Sequence, residues 1–231
     1  MNTTMTSGQL ATTLNLQAQK GVTSETYQPL LETGLQADLY EAAVEGKLKE
    51  VDRSAFREFL GLEWLLKLVG KVTILATTTH FRSRDFFKLK KDGGIFFFIE
   101  KNFQDWFFAG TGKIEDPTAE HILRYHKLRQ VSVDGPVITE LGGEAKAETT
   151  LASIASLIEK QKNGEAGILL MNSSANIFYV RDLTGVLRTV QVLYSGNGWY
   201  AIGHLVGHTD KWLVTSLVFS CDSVSSEQMV A

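Results

Sequence analysis
The sequence predicts an α+β fold: a helical N-terminal region, central mixed or antiparallel strands, and one amphipathic helix followed by a C-terminal antiparallel meander of about five strands. Three observations carry that expectation. Apolar residues recur at helical spacing before residue 70, and again at Leu151, Ile154, Ala155 and Ile158. Runs of strand length, rich in β-branched and aromatic residues, fill much of the remainder. In the C-terminal third these runs are separated by short Gly, Asn, Asp and Ser clusters, and turns too short for a crossover force antiparallel neighbours.

The 231 residues are 44% hydrophobic and 21% charged, with a net charge of −3. That profile belongs to an ordinary globular chain and excludes a disordered or fibrous one. The mild acidity supplies no overall attraction to nucleic acid or anionic membrane. Met1 to Gly8 has neither a basic nor an apolar leader segment. The most apolar stretch, Leu60 to Ala76, is interrupted by Glu63, Lys67 and Lys71, each costly inside a bilayer. Cys221 is the single cysteine, so no internal disulfide or Cys-based zinc site is available. A soluble, cytoplasmic protein without membrane association is expected.

From the N-terminus, residues 1–20 are Thr-, Gln- and Asn-rich around Leu10, Leu14 and Leu16, and read as a flexible segment. Residues 21–70 read as helical. Ser24 is placed to cap a helix whose stripe is Leu30, Leu31, Leu35 and Leu39, interrupted by Gly34 and closed by Gly46. Asp52 would cap a short helix over Arg53–Leu60, and Glu63 to Val69 would add a further turn or two. Residues 71–141 read as an aromatic-rich β region. Val72–Thr79 and Phe86–Lys90 are strand-like, and Asp92-Gly93-Gly94 reads as a hairpin turn into Ile95–Ile99. Five consecutive large apolar residues predict a strand covered on both faces. Asn102–Phe108 and Ala119–Leu128 fit either a helix or a strand. Val131–Thr139 reads as two extended pieces around Asp134-Gly135-Pro136.

Residues 142–222 contain the amphipathic helix, roughly Glu148–Gln161, stopped at Asn163-Gly164. The meander then comprises Gly167–Met171, Asn176–Arg181, Val186–Tyr194, Trp199–Val206 and Trp212–Ser220. The polar tail, 223–231, is expected to be disordered.

Nucleotide chemistry finds little support. Gly110-Thr111-Gly112-Lys113 has Phe107 where a P-loop needs its first glycine and Ile114 where it needs Ser or Thr. No G-x-G-x-x-G, H-E-x-x-H or G-x-S-x-G occurs, so no catalytic residue, metal ligand or cofactor is assigned. Glu115-Asp116 reads as a solvated loop. Cys221 lies beside Asp222, whose charge would raise a thiol pKa. His121 and His126 are too awkwardly spaced for one helix face. His204 and His208 would lie about 13 Å apart on one strand at ~3.3 Å per residue, although a turn at Gly207 could fold them together near Asp210.

Two surfaces remain as candidates. In Phe81–Lys91 the cations Arg82, Arg84, Lys88, Lys90 and Lys91 interleave with phenylalanines, as in single-strand nucleic-acid grooves. The same alternation is what a half-buried strand with a lysine-protected edge would give. Nine of the thirteen phenylalanines fall between Phe81 and Phe108. The second surface gathers Trp199, Tyr200, His204, His208 and Trp212 in the meander, where amphipathic rings suit a partner- or ligand-binding face.

The stretch LRYHKLRQVSVDGPVITELGGEAKAETTLASIASLIEKQKNGEAGILL, followed by ANIFYVRDLTGVLRTVQV, with NFQDWFF upstream, resembles a family of short, multi-copy paralogous proteins from candidate-phylum bacteria. The resemblance covers about Lys67 to Ser223. That family has no known function and supplies no catalytic or binding residues; its multiplicity implies an interaction module with variable loops. With no catalytic motif and a long, turn-rich meander whose loops are free to vary, the expectation is a non-enzymatic interaction module with a protein partner. The alternatives are a nucleic-acid binder using residues 81–91, and an enzyme or small-ligand binder whose pocket is assembled from distant residues.

Overall fold
The computed structural model describes residue 17 and residues 20–51, 53–62 and 64–221, and the chain divides into two units, Met1–Glu63 and Trp64–Ala231. The readings placed on Leu10, Leu14, Leu16, Asp52 and the tail after Cys221 lie outside the described residues.

The first unit contains helices α1 (Ser24–Glu32), α2 (Leu35–Val44) and α3 (Arg53–Phe59), with a 3-10 turn at Lys47–Glu50. The cap of α1 falls one residue before the expected Ser24. The Thr23 hydroxyl accepts from the Thr26 amide, and the Thr26 hydroxyl accepts from the Thr23 amide, a reciprocal capping box. Gly34 and Gly46 adopt left-handed φ values of 75° and 76° and separate the helices at the positions the sequence predicts.

The second unit is built from strands β1 (Leu66–Ile74), β2 (Phe81–Arg82), β3 (Phe96–Ile99), β4 (Ile114–Glu115), β5 (His121–Leu128), β6 (Asn176–Arg181), β7 (Leu187–Ser195), β8 (Gly198–Leu205) and β9 (Leu217–Cys221). Its helices are α4 (Ser83–Phe86), α5 (Lys101–Phe107), α6 (Asp134–Leu141), α7 (Glu144–Ala147) and α8 (Leu151–Glu159). Seven strands form one mixed sheet in the order β1-β5-β9-β6-β7-β8-β3, and β2 pairs with β4 apart from it. The class is thus α+β, as expected. Among the described residues no helix is long and apolar enough to cross a membrane.

Alternate residues of the central strand β6 divide between two apolar layers. Phe178 and Val180 join Leu151, Ile154, Ile158, Phe87 and Phe103 on one side. Ile177 and Tyr179 join Val137, Ile138, Ala147 and Trp212 on the other. Helices α4, α5 and α8 therefore cover one face, and α6 with α7 covers part of the opposite one. The stripe expected on α8, Leu151, Ile154, Ala155 and Ile158, is buried throughout.

The C-terminal strands do not form a purely antiparallel meander. Strands β6, β7 and β8 pair antiparallel in sequence order. Then β9 crosses to lie between β5 and β6, antiparallel to the first and parallel to the second. Residues 206–216 are long enough to carry the chain over, and Trp212 bridges to Ser132 on the way. Gly167–Met171 forms no strand. Its backbone groups are met by side-chain amides instead: Gln161 bonds Leu169 N and O, and Asn176 bonds Leu170 N and O.

The central region departs further from expectation. Phe86–Lys90 is a helical turn followed by an isolated bridge, because consecutive Phe86 and Phe87 both pack on Phe96, whereas a strand would send them to opposite faces. The expected hairpin is absent, and β3 pairs in parallel with β8. Ile95–Ile99 is not covered on both faces: β3 is an edge strand whose Phe97 and Phe98 are 52% and 44% exposed. Asp134-Gly135-Pro136 opens α6 rather than a turn, since proline in a first helical turn forfeits no intrahelical bond. Strand β1 begins at Leu66, inside the segment read as helical, with Leu65 and Leu66 amides donating to the Glu140 carboxylate at 3.0 and 2.6 Å.

Helix α5 crosses β8 at Gly203, where a Cβ would lie 3.0 Å from both the Phe103 amide nitrogen and the Trp106 ring. Gly203→Val should lower stability by about 1–3 kcal/mol, the usual cost of overpacking, read as a reduced urea midpoint with unchanged slope.

Candidate functional site
His204 and His208 come together. Gly207, with φ of 90°, turns the chain after β8 and stacks the two imidazoles with centroids 4.7 Å apart. Trp212 meets both edge-on at 5.4 and 5.2 Å. His204 Nε2 lies 2.9 Å from Gln191 Oε1 on β7. The Asp210 amide donates to His208 Nδ1 at 3.1 Å, which leaves the proton of the neutral ring on Nε2. That Nε2 is buried, has no hydrogen-bond partner and stands 3.6 Å from Asp134 Oδ2.

Asp134 is the residue that sequence reasoning missed. Fully buried at the start of α6, its Oδ1 accepts from Tyr179 Oη at 3.0 Å and Trp212 Nε1 at 2.8 Å, and its Oδ2 from Thr189 Oγ1 at 3.0 Å. Burial, then the charge and hydrogen bond of Asp134, push the Tyr179 phenol well above its usual range, so it remains a donor. Burial pushes His204 below the ordinary imidazole range, as does the neighbouring His208 ring, against the opposing pull of Asp134, Glu100 and Asp210. These contacts join α6, β6, β7 and the segment after β8. Chemically the arrangement is a lock: the Asp134 oxygens are taken up by neutral donors, and the His208 nitrogen facing away from Asp134 already accepts a backbone proton. Among the described residues no group of three or more His, Cys, Asp or Glu is arranged to hold a metal ion.

The basic residues of the 81–91 segment are divided in their contacts. The Arg84 guanidinium donates through Nε and Nη2 to the Phe108 carbonyl, and Lys90 Nζ donates to the Asn197 carbonyl at 2.7 Å. Arg82, Lys88 and Lys91 are exposed. The phenylalanines interleaved with them face inward: Phe87 is buried, within 5.0 Å of Phe96 and 4.9 Å of Phe103 by ring centroids.

Of the meander aromatics, Trp199 is completely buried with its indole nitrogen unpartnered, and Trp212 belongs to the Asp134 lock. Tyr200 is half-buried beside the β3 edge, its ring 5.4 Å from Phe97 and 6.1 Å from Phe98. The run Phe96–Ile99 carries no charge to signal an edge, and only pairing shows it to be one.

Two further groups correct or refine the sequence reading. Glu115 is not in a solvated loop. It lies buried on β4, and its carboxylate accepts from the Leu151 and Ala152 amides at the start of α8, at 3.0 and 2.8 Å. Burial pushes its carboxyl above the usual range, partly offset by those amides and by Lys113. The Cys221 thiol is also raised, by burial and then by Glu148.

No protein-family model, curated protein or solved structure matches this chain.

Asp134→Ala would strand three buried donors, and a loss of about 3–5 kcal/mol is expected, as for other broken buried charged contacts, measured by urea unfolding. A pH dependence also follows. Burial lowers His126 as it does His204, reinforced by Arg124 and opposed by the Val218 backbone. Both folded-state values lie below the ordinary 6.5, so their contribution to stability is complete above that pH and is lost as pH falls through the lowered values. The urea midpoint should decline from pH 7.5 to 5.5, and less steeply in the double variant His126→Gln/His204→Gln.

Proposed function
We propose that this chain is a non-enzymatic protein-interaction module, and that it takes an extended, acidic and apolar segment of another protein as an added strand on the β3 edge. One observation carries the reading: β3 is an uncharged edge strand with Phe97 and Phe98 exposed side by side next to Tyr200. Exposed apolar edges invite pairing with another chain, and proteins ordinarily blunt them with charge or irregularity. The opposite edge is blunted in that way. Strand β1 carries Lys67 and Lys71, whereas β3, which like β1 has one register shift, between Phe96 and Phe98, carries no charge. Lys88 and Leu89 already take the outer side of Phe96, so a partner strand would extend the ladder from Phe97 to Ile99 and cover the two exposed phenylalanines.

Charge complementarity selects the partner. The 82–91 segment reaches β3 through the bridge of Leu89 to Phe96. It brings five cations, Arg82, Arg84, Lys88, Lys90 and Lys91, against Asp85 alone. An acidic segment is favoured there and a basic one repelled. Single-stranded nucleic acid is less well served, because Phe87 is buried and Phe86 half-buried against the aromatic cluster, leaving the cations without stacking partners among them.

The test is fluorescence anisotropy with two labelled nine-residue peptides, one alternating Val with Glu and one alternating Val with Lys. The Glu peptide should bind and the Lys peptide should not. Phe98→Lys should weaken binding at least about tenfold, the loss of roughly 1.4 kcal/mol, while Leu68→Lys on the other edge should leave it unchanged. Binding indifferent to Phe98→Lys overturns the reading. So does salt-sensitive binding of oligothymidylate in place of the peptide, or a concentration-dependent dimer by ultracentrifugation that Phe98→Lys dissolves.

A further inference from the structure
Beside β3, the segment 84–92 and helix α5 flank a groove of about 600 Å³, within the roughly 300–1,000 Å³ typical of ligand sites. Its apolar lining is Phe87, Leu89, Ile99 and Phe108. Two of these belong to the edge itself, since Ile99 ends β3 and Leu89 bridges Phe96. A segment laid along that edge would have the groove immediately alongside.

The polar part of the groove is cationic on one wall. Arg84 and Lys88 line it from α4 and the residues after it. Arg84 is held in place before any ligand arrives. Two of its five donors go to the Phe108 carbonyl, which fixes the guanidinium plane and leaves the others available. The turn beneath it is pinned as Ser83 Oγ donates to the Phe107 carbonyl at 2.8 Å and the Ser83 amide to the Lys113 carbonyl at 2.9 Å. Gly112, at φ of +80°, makes room for the Arg84 stem, because a Cβ there would fall 2.9 Å from Arg84 Cγ. Of the two acids lining the groove, Asp105 is ion-paired with Lys101. Asp92 is left against the two cations.

An occupant must therefore offer an anion to Arg84 and Lys88 and an apolar group to Phe87, Ile99 and Phe108, both within one small volume. A main chain paired with β3 must also lead into that volume. The last residue of an extended chain meets all three requirements. We infer that the groove captures the C-terminal carboxylate and apolar final side chain of the segment docked on β3. The inference rests on the strand-addition reading for its main-chain contacts, and it names the part of the partner that is recognised.

The experiment compares one fluorescein-labelled hexapeptide, alternating Glu and Val and ending in Ile, as the free acid and as the C-terminal amide. The free acid should bind at least about tenfold more tightly, as expected for loss of a charge-assisted contact. Lys88→Glu, a change at an exposed side chain, should abolish the difference. Equal affinity for acid and amide overturns the inference, as does a preference that survives Lys88→Glu. Phe98→Lys separates this inference from the reading it rests on. Equal affinities that Phe98→Lys weakens together leave strand addition standing without end recognition. A preference for the acid that ignores Phe98→Lys leaves the groove standing without strand addition.

Discussion
The carboxylate of Asp134 is where separate parts of the second unit meet. Tyr179 on β6, Thr189 on β7 and Trp212 in the segment after β8 all donate to it, and His208 packs beside it. A fully buried carboxylate is costly unless its hydrogen bonds are met, so no donor can leave without penalising the others. The contact holding Trp212 is the consequential one. It fixes the path of residues 206–216 across the sheet, and that path delivers β9 to the gap between β5 and β6. The position of β9 is thus held both by its ladders to β5 and β6 and by the donors gathered on this one carboxylate.

The amides of Gln161 and Asn176 act in a similar way on a smaller scale. Each replaces a strand partner for the backbone of residues 167–171, letting Ile168, Leu169, Leu170 and Met171 pack on the core from a segment without a ladder. Glu115 does the same for the first amides of α8. In all three cases a buried polar side chain does what regular secondary structure would otherwise do.

Much of this was legible locally, and what was not shares a cause. Helix α8 could be read because its apolar spacing, Thr150 cap and terminal Asn163-Gly164 agree with one another. Strands β6 to β8 could be read because the turns between them are short and built of Asp, Gly and Asn. The placement of β9 could not, because its partners are distant in the chain: β5 lies about ninety residues earlier, and Trp212 on the way bonds a carboxylate 78 residues earlier. Asp134-Gly135-Pro136 misled because all three residues suit both a turn and the opening of a helix. The uninterrupted run Ile95–Ile99 reads as a central strand, and nothing local reveals that on one side it has only the bridge from Phe96 to Leu89. For the candidate site, His204 and His208 were singled out on spacing, with Gly207 the one sign that the chain could fold back. Asp134, which orders them, carried no such signal.

The insertion of β9 has a bearing on synthesis. Without residues 217–221 the ladder divides in two, β1 with β5 on one side and β6, β7, β8 and β3 on the other. The two pieces then present unpaired edges that belong opposite a strand not yet made. A chain emerging from the ribosome must hold both edges open and resist joining them in a wrong register, a period of exposure that sheets closed by early strands avoid. Its last described strand is a keystone, and the sheet stands as one only when the keystone is set.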